Sequence, residues 1–267
     1  ILINDVFIEE DEDGNAYPTK SVGAITILAA DSESPKAREN SYTCLAEISQ
    51  IENLKNLFII DNSKMSGYSA INRRFFELFT AVLEIPEKCK NKDGNIDQSE
   101  IIKVFSTPGV SYIAKVTGNK FSTKDLIDRI KGGIFADMNE SPEDRTVQYV
   151  LSSTVKPLDY EMITSEFGQF VDEFHTFNES TNILMLTGMP FPIDKLSKMK
   201  DRLQIDSKGL NEKRSRASKF AKLDAGLNLF TSEPQVKHKT VEQADDSTPG
   251  KRMSSKREEL LASIRKR

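Results

Sequence analysis

The sequence predicts an α/β protein: a parallel β-α-β unit feeds a long central helix, followed by an α+β half and a C-terminal helix with a basic tail. Three observations predict it. Val22–Leu28 and Leu54–Asp61 are strand-length runs of aliphatic and β-branched residues, and a helix-length segment opening at Pro35 lies between them, the order of a parallel crossover. From Tyr68 to about Lys90, Ile71, Phe75, Leu78, Phe79, Val82 and Leu83 recur at helical spacing. Beyond that helix, strand-like runs at 109–116, 147–155 and 182–187 alternate with helical ones.

Composition sets bounds on function. The 267 residues suffice for one large or two medium domains, and 37% hydrophobic with 29% charged residues is a soluble, globular balance with polar segments. A net charge of −4 excludes bulk affinity for nucleic acid or an anionic membrane, although the start is acidic (Asp5, then 9–13) and the end basic. With no signal peptide and no membrane-length apolar run, the expectation is a cytoplasmic protein without a membrane partner. Cys44 and Cys89 have no metal-binding or redox spacing and read as buried or idle thiols of a reducing compartment. The chain opens Ile-Leu-Ile-Asn without methionine, and residues 1–8 look like the end of a helix. It is therefore expected to be the carboxy-terminal portion of a longer polypeptide.

In order, residues 9–20 read as an acidic surface loop and 22–28 as a buried strand. Pro35 opens a helix to about Gln50, because proline suits a first turn, and 54–61 is a strand with Asn62 at its carboxy end. Phe75 and Phe76 are adjacent, which predicts more than one buried face on the long helix. Residues 97–107 form the next helix; Ser122 to Asp125 start a short one that Gly132 and Gly133 stop. Residues 158–172 read as helical, and the half containing them as a possible subdomain. From Ile193 onward a helix carries Leu196, Met199 and Leu203 on one stripe and Lys195, Lys198, Lys200 and Arg202 on the other face, while 231–255 has the composition of a disordered linker.

The chemistry centres on Asn95-Ile96-Asp97-Gln98-Ser99-Glu100, between two helices. Asp97 and Glu100 are three residues apart, so both carboxylates lie on one face of a first helical turn, where partial positive charge favours them. Helix capping explains that much. Two functional readings compete. In a calcium-binding EF-hand, with Gly94 as the sixth loop residue, Asn91, Asp93, Asp97 and Glu100 fall at ligand positions and Ile96 at the apolar one, but the first ligand position falls on Cys89 and no second loop is present to pair with. The other reading is a catalytic loop of paired carboxylates.

The surrounding chain favours the second, because residues 22–190 resemble the second half of the tubulin/FtsZ superfamily. That family ends its central helix in an Asn-x-Asp-x-x-Asp/Glu loop. Glu33 falls at its ribose-contacting glutamate, Ile60-Asp61-Asn62 resembles the strand end whose asparagine reads guanine, and Phe76 falls where an aromatic stacks on the base. Thr80 stands where a second guanine-reading asparagine is common, and a hydroxyl does not reproduce the two-sided pairing of an amide. The family's glycine-rich phosphate loop, which precedes this segment, is not among these residues, so the chain taken alone should hold nucleotide poorly. Gly188-Met-Pro-Phe-Pro192, the long helix after it and the basic end resemble the TubZ-like plasmid and phage branch.

The resemblance implies a domain order: the second half of a Rossmann-like nucleotide-binding GTPase domain at 1–67, the central helix and catalytic loop at 68–96, an α+β activation domain at 97–192, a C-terminal helix at 193–230 and a flexible basic tail at 231–267. It implies a GTPase of the EC 3.6.5 type that polymerises head to tail for plasmid or phage DNA segregation. Glu33, Asn62, Phe76 and Thr80 would hold GTP, Mg2+ would balance its charge, and Asp97 and Glu100 would complete the neighbouring subunit's site, each close carboxylate raising the other's pKa. No resident metal site is expected. The tail at 256–267, which opens on Lys256 and closes on Arg267, would meet a DNA-bound adaptor protein; its charges equally suit a solvated tail. A tubulin-like scaffold without hydrolysis is the remaining alternative.

Overall fold

In the computed structural model, which describes residues 8–10, 16–18, 22–51, 54–88, 94–141 and 145–227, two short strands come first. β1 (Ile8–Glu10) and β2 (Ala16–Pro18) pair antiparallel, with Glu9 opposite Tyr17. The 9–20 segment therefore holds ladder residues where composition reads only loop, and Ile8 stands in a strand rather than at a helix end. Runs of three residues are too short for alternation to register above the acidic background. Residues 1–7 lie outside the described residues, as does the tail from 228 on, including the linker at 231–255 and the helix expected at 256–267.

β3 (Val22–Leu28) and β4 (Leu54–Asp61) pair in parallel around α1 (Pro35–Ile48), as the sequence predicts. β3 lies at one edge of a six-stranded sheet ordered β3-β4-β5-β8-β6-β7. Its Thr26 and Leu28 are buried while Ile25 and Ile27 are exposed, so it is half-buried, not buried throughout. The remaining strands are β5 (Gly109–Thr117), β6 (Val147–Thr154), β7 (Phe170–Phe177) and β8 (Thr181–Met189). β8 runs antiparallel to both β5 and β6, and β6 and β7 are parallel.

β4 meets β5 only where Asn56 and Leu57 face Gly109 and Val110. Past that point the strands diverge, and the segment 134–136 takes over β4's bonds: Asp61 N donates to Ile134 O at 2.8 Å and Ala136 N to Ile59 O at 2.8 Å. At the junction, Asn56 Nδ2 donates to Ser111 Oγ (2.8 Å) and Thr187 Oγ1 (3.1 Å), a buried polar knot joining β4, β5 and β8.

The long helix α2 (Tyr68–Leu83) stops at Glu84, before the single turn α3 (Ile85–Lys88), rather than running unbroken to Lys90. Pro86 accounts for the break, since it has no N–H for the carbonyl four residues back and suits the first turn of a new helix. Ile71, Phe75, Leu78 and Val82 form a single buried stripe; Phe76 is 69% exposed, so the adjacent phenylalanines do not mark a second buried face. Phe75 meets Phe58 edge-on at 5.4 Å, and Tyr112 packs on Phe135 at 5.8 Å, pairs worth about 0.5–1.5 kcal/mol each beyond their burial.

Next come α4 (Gln98–Phe105), α5 (Thr123–Lys131) and α6 (Tyr160–Phe167). Helix does not continue to Asp172 as composition suggests. Gly168 turns the chain at φ 95°, where an added Cβ would sit 2.2 Å from Arg145 O, and β7 follows. Being an outer strand, β7 mixes polar and apolar residues, which imitates a helix's wet face. α7 (Ile193–Leu227) closes the described chain. The chain divides into two compact units, Ile1–Arg214, which holds the sheet and its helices, and Ser215–Arg267, of which helical residues 215–227 are described.

Candidate functional site

Parallel strands gather ligand-binding loops at their carboxyl ends, and β3 and β4 present two of the sequence-predicted residues there. Past Leu28 the chain turns tightly: Glu33 N donates to Ala30 O at 2.9 Å, and Ala30 N donates back to Glu33 Oε1 at 2.7 Å. Ser34 then caps α1, its hydroxyl accepting from Ala37 N at 3.2 Å, with Pro35 at the first helical position. At the end of β4, Asp61 Oδ1 accepts from Ser63 N (2.9 Å) and Ser63 Oγ (2.6 Å), fixing a 3-10 turn over Asn62–Lys64. These two turns bring Asn62 Nδ2 to Glu33 Oε1 at 3.2 Å. Among the described residues, buried Asn62 Oδ1 has no hydrogen-bond partner, an acceptor of the kind that a base's N–H groups would satisfy.

Phe76 and Thr80 lie one turn apart on α2. Phe76 is exposed and Thr80 half-buried, its carbonyl closing the helix by accepting from Glu84 N at 3.0 Å. Neither is hydrogen-bonded to Glu33 or Asn62 among the described residues.

Asp97 and Glu100 are brought together elsewhere, at the N-terminus of α4. Asp97 Oδ1 accepts from Glu100 N at 3.0 Å and from Ser99 Oγ at 2.6 Å, while Glu100 Oε2 accepts from Asp97 N at 2.9 Å. This is a reciprocal capping box. The Ser99 hydroxyl, then the Glu100 amide, hold the Asp97 carboxyl below its ordinary pKa, which corrects the expectation that the neighbouring carboxylate raises it. Asp97 is exposed and Glu100 half-buried, and the pair is anchored because Ile96 beside it is buried. Gly94 adopts φ +72° so close to the sheet that a Cβ would sit 2.7 Å from His175 O. The calcium-loop positions Cys89, Asn91 and Asp93 lie outside the described residues; the described part of that loop spends Glu100 on a backbone amide rather than on a shared cavity.

Sequence reasoning missed the side chains behind Glu33 and Asn62. Lys195, from the first turn of α7, donates to Asp61 Oδ2 at 2.6 Å. Burial pushes the Asp61 carboxyl up, but the hydrogen bonds from Lys195 and Ser63 and the charge of Lys195 outweigh it, and the group titrates below its ordinary value. Arg38 Nη2 and Nε donate to Asp206 Oδ2 at 2.7 and 3.0 Å, and its Nη1 donates to the carbonyls of Asp31 (2.7 Å) and Glu33. Lys195 and Arg38 sit in polar stretches whose charges suit a solvated helix face, so only their tertiary partners reveal them. The Cys44 thiol is exposed rather than buried, 3.8 Å from Thr26 Oγ1, and Cys89 is outside the described residues.

A cavity of about 280 Å³ lies between these strand ends and α7, lined by Ala29, Asp31, Asp61, Ser63, Lys195 and Arg202 among others. Neither this cavity nor a more open groove of about 470 Å³ near Glu84, Lys88 and Asn178 is lined by a sequence-predicted site residue. Among the described residues, no group of three His, Cys, Asp or Glu side chains could hold a metal ion, and no helix is long and apolar enough to cross a membrane.

No protein-family model matches the chain. Over 206 residues it is 25% identical to the tubulin-like protein TubZ of a Clostridium botulinum C phage, covering 73% of this chain and 56% of that relative. The chain thus spans little more than half the relative's length. The crystal structure of Clostridium botulinum phage c-st TubZ superposes with a TM-score of 0.64 at 23% identity, over 72% of this chain and 63% of that one. A GTPγS-form protofilament of Bacillus thuringiensis serovar israelensis TubZ gives 0.58 at 18% identity, over 74% and 60%. The structural likenesses establish the fold.

Proposed function

We propose that this chain, which resembles the TubZ branch of the tubulin/FtsZ superfamily, is the nucleotide-edge and activating portion of a filament-forming GTPase. The observation that carries this reading is the separation of two prepared groups. Glu33 and Asn62 are hydrogen-bonded together at strand ends, with an acceptor of Asn62 unspent. Among the described residues, the Asp97 and Glu100 side chains are bonded only within their own helix turn, Ser99 included.

Glu33 accepts from ribose hydroxyls, Asn62 turns its amide to guanine, and exposed Phe76 supplies a stacking face, with Thr80 adding one hydroxyl contact. Asp97, kept ionised by its cap, is presented outward with Glu100 to the next subunit's nucleotide. There the two orient water and take its proton as it attacks the γ-phosphate, a general-base contribution of about 10²–10⁴ in rate. Neither carboxylate meets the nucleotide of its own subunit, so hydrolysis follows assembly. Bound with the triphosphate, Mg2+ supplies charge compensation; the described residues would not hold it alone. The domain order read from the sequence, with the 97–192 part as activator, belongs to this proposal. So does cargo attachment for DNA segregation, by the tail at 256–267 on a DNA-bound adaptor. Phosphate contacts by that tail would weaken steeply with salt.

The test is GTP turnover by the full-length protein as a function of its concentration. Turnover should rise faster than linearly, and Asp97→Ala should abolish it while filaments still form and persist. Filaments that vanish rapidly in that variant would refute the role of Asp97.

A further inference from the structure

The two residues proposed to read base and ribose are each tied, one step back, to α7. Arg38 grips the 31–33 turn by two backbone carbonyls and spends its remaining planar edge on Asp206. Only guanidinium has the geometry to meet three acceptors at once in this way. Asp61, the residue before Asn62, has one oxygen on Ser63 and the other on Lys195. All four charged side chains are withdrawn from water, with 12% of Arg38, 16% of Asp206, 19% of Lys195 and 1% of Asp61 exposed. A cavity of about 280 Å³ separates the strand ends from α7 at this place. Leu196 and Met199 of the helix pack against the core, and the two ion pairs add direct links from the helix to the two turns.

We propose that Arg38 and Lys195 are positioning residues for nucleotide recognition: through Asp206 and Asp61 they lock the Glu33 turn and the Asn62 turn to α7, so that the placement of α7 sets how well ribose and guanine are read. The inference rests on the GTP-binding reading above. Its geometry divides the labour. The Arg38–Asp206 pair acts on the ribose turn, and the Lys195–Asp61 pair acts on the base turn.

That division gives a test that a general loss of stability would not imitate. Binding of GTP, 2′,3′-dideoxy-GTP (no ribose hydroxyls) and ITP (no exocyclic amine) is measured on full-length protein, with thermal melts to confirm folding. Asp206→Asn should weaken GTP about tenfold while leaving dideoxy-GTP unchanged, erasing the preference for ribose hydroxyls. Asp206→Glu, which keeps the charge, should restore that preference at least in part. Lys195→Met should instead erase the preference for GTP over ITP. If both variants keep the wild-type preferences, or weaken all three nucleotides equally, the positioning role is overturned and the proposed function stands. If wild-type protein binds none of the three, the proposed function falls and takes this inference with it.

Discussion

The turn cluster behind Glu33 and Asn62 and the cap at Asp97 and Glu100 are built in opposite ways. The first is tertiary: its bonds join residues 29, 134 and 168 positions apart. The second is local, its bonds spanning two or three positions. A locally closed group keeps its geometry wherever its helix goes, which suits a part that must be presented to another molecule. A group held by distant partners responds when those partners move.

Substitutions can break this contrast. The largest effect should come from Lys195→Met, which strands the buried Asp61 charge and should cost about 3 kcal/mol of unfolding free energy in a urea titration. Its pH dependence sharpens the point. In the native protein the Asp61 carboxyl lies below its ordinary value, so its contribution is fully present above about pH 4 and is lost as pH falls through the folded value. Without Lys195 the carboxyl keeps only the Ser63 hydrogen bonds against burial, so its folded value rises and the contribution lost in acid shrinks. Urea midpoints between pH 7 and pH 3 should fall less steeply in Lys195→Met than in the native protein, once other carboxylates, common to both, are subtracted.

Smaller changes are expected at the local group. Gly94→Ala places a Cβ against His175 O in a left-handed conformation and should cost about 1–2 kcal/mol, read from the melting temperature. Asp97→Ala should cost about 1 kcal/mol as the loss of a helix cap, far less than its effect on turnover. A stability loss in Asp97→Ala as large as that of Lys195→Met would erase the distinction between local and tertiary construction.

The same distinction decides what the sequence discloses. The capping box is legible because Asp97 and Glu100 are three residues apart, and β3, α1 and β4 because their patterns are periodic within one segment. Glu33 and Asn62 are legible only by resemblance, although their direct hydrogen bond confirms that the two turns converge. Nothing local in Lys195 distinguishes it from Lys198 or Lys200, yet only Lys195 meets Asp61. The end of α2 was visible in Pro86, whose missing donor outweighs the apolar repeat that continues past it. β7 escaped notice because an outer strand has a solvated side, and its ladder to β6 is a non-local fact.

The open side of β3 bears on how the protein will behave in a cuvette. Ile25 and Ile27 point to water along an outer parallel strand, 52% and 44% exposed, beside an apolar hollow of about 420 Å³ that Ile25 lines with Phe58, Phe79 and Ile102. Bare strands of this kind recruit one another. Concentrated solutions should therefore cloud without nucleotide, and light scattering by itself would confuse sticky strands with ordered polymer. Replacing Ile27 with lysine should clear the nucleotide-independent turbidity, so that scattering which still rises with GTP reports the proposed polymer.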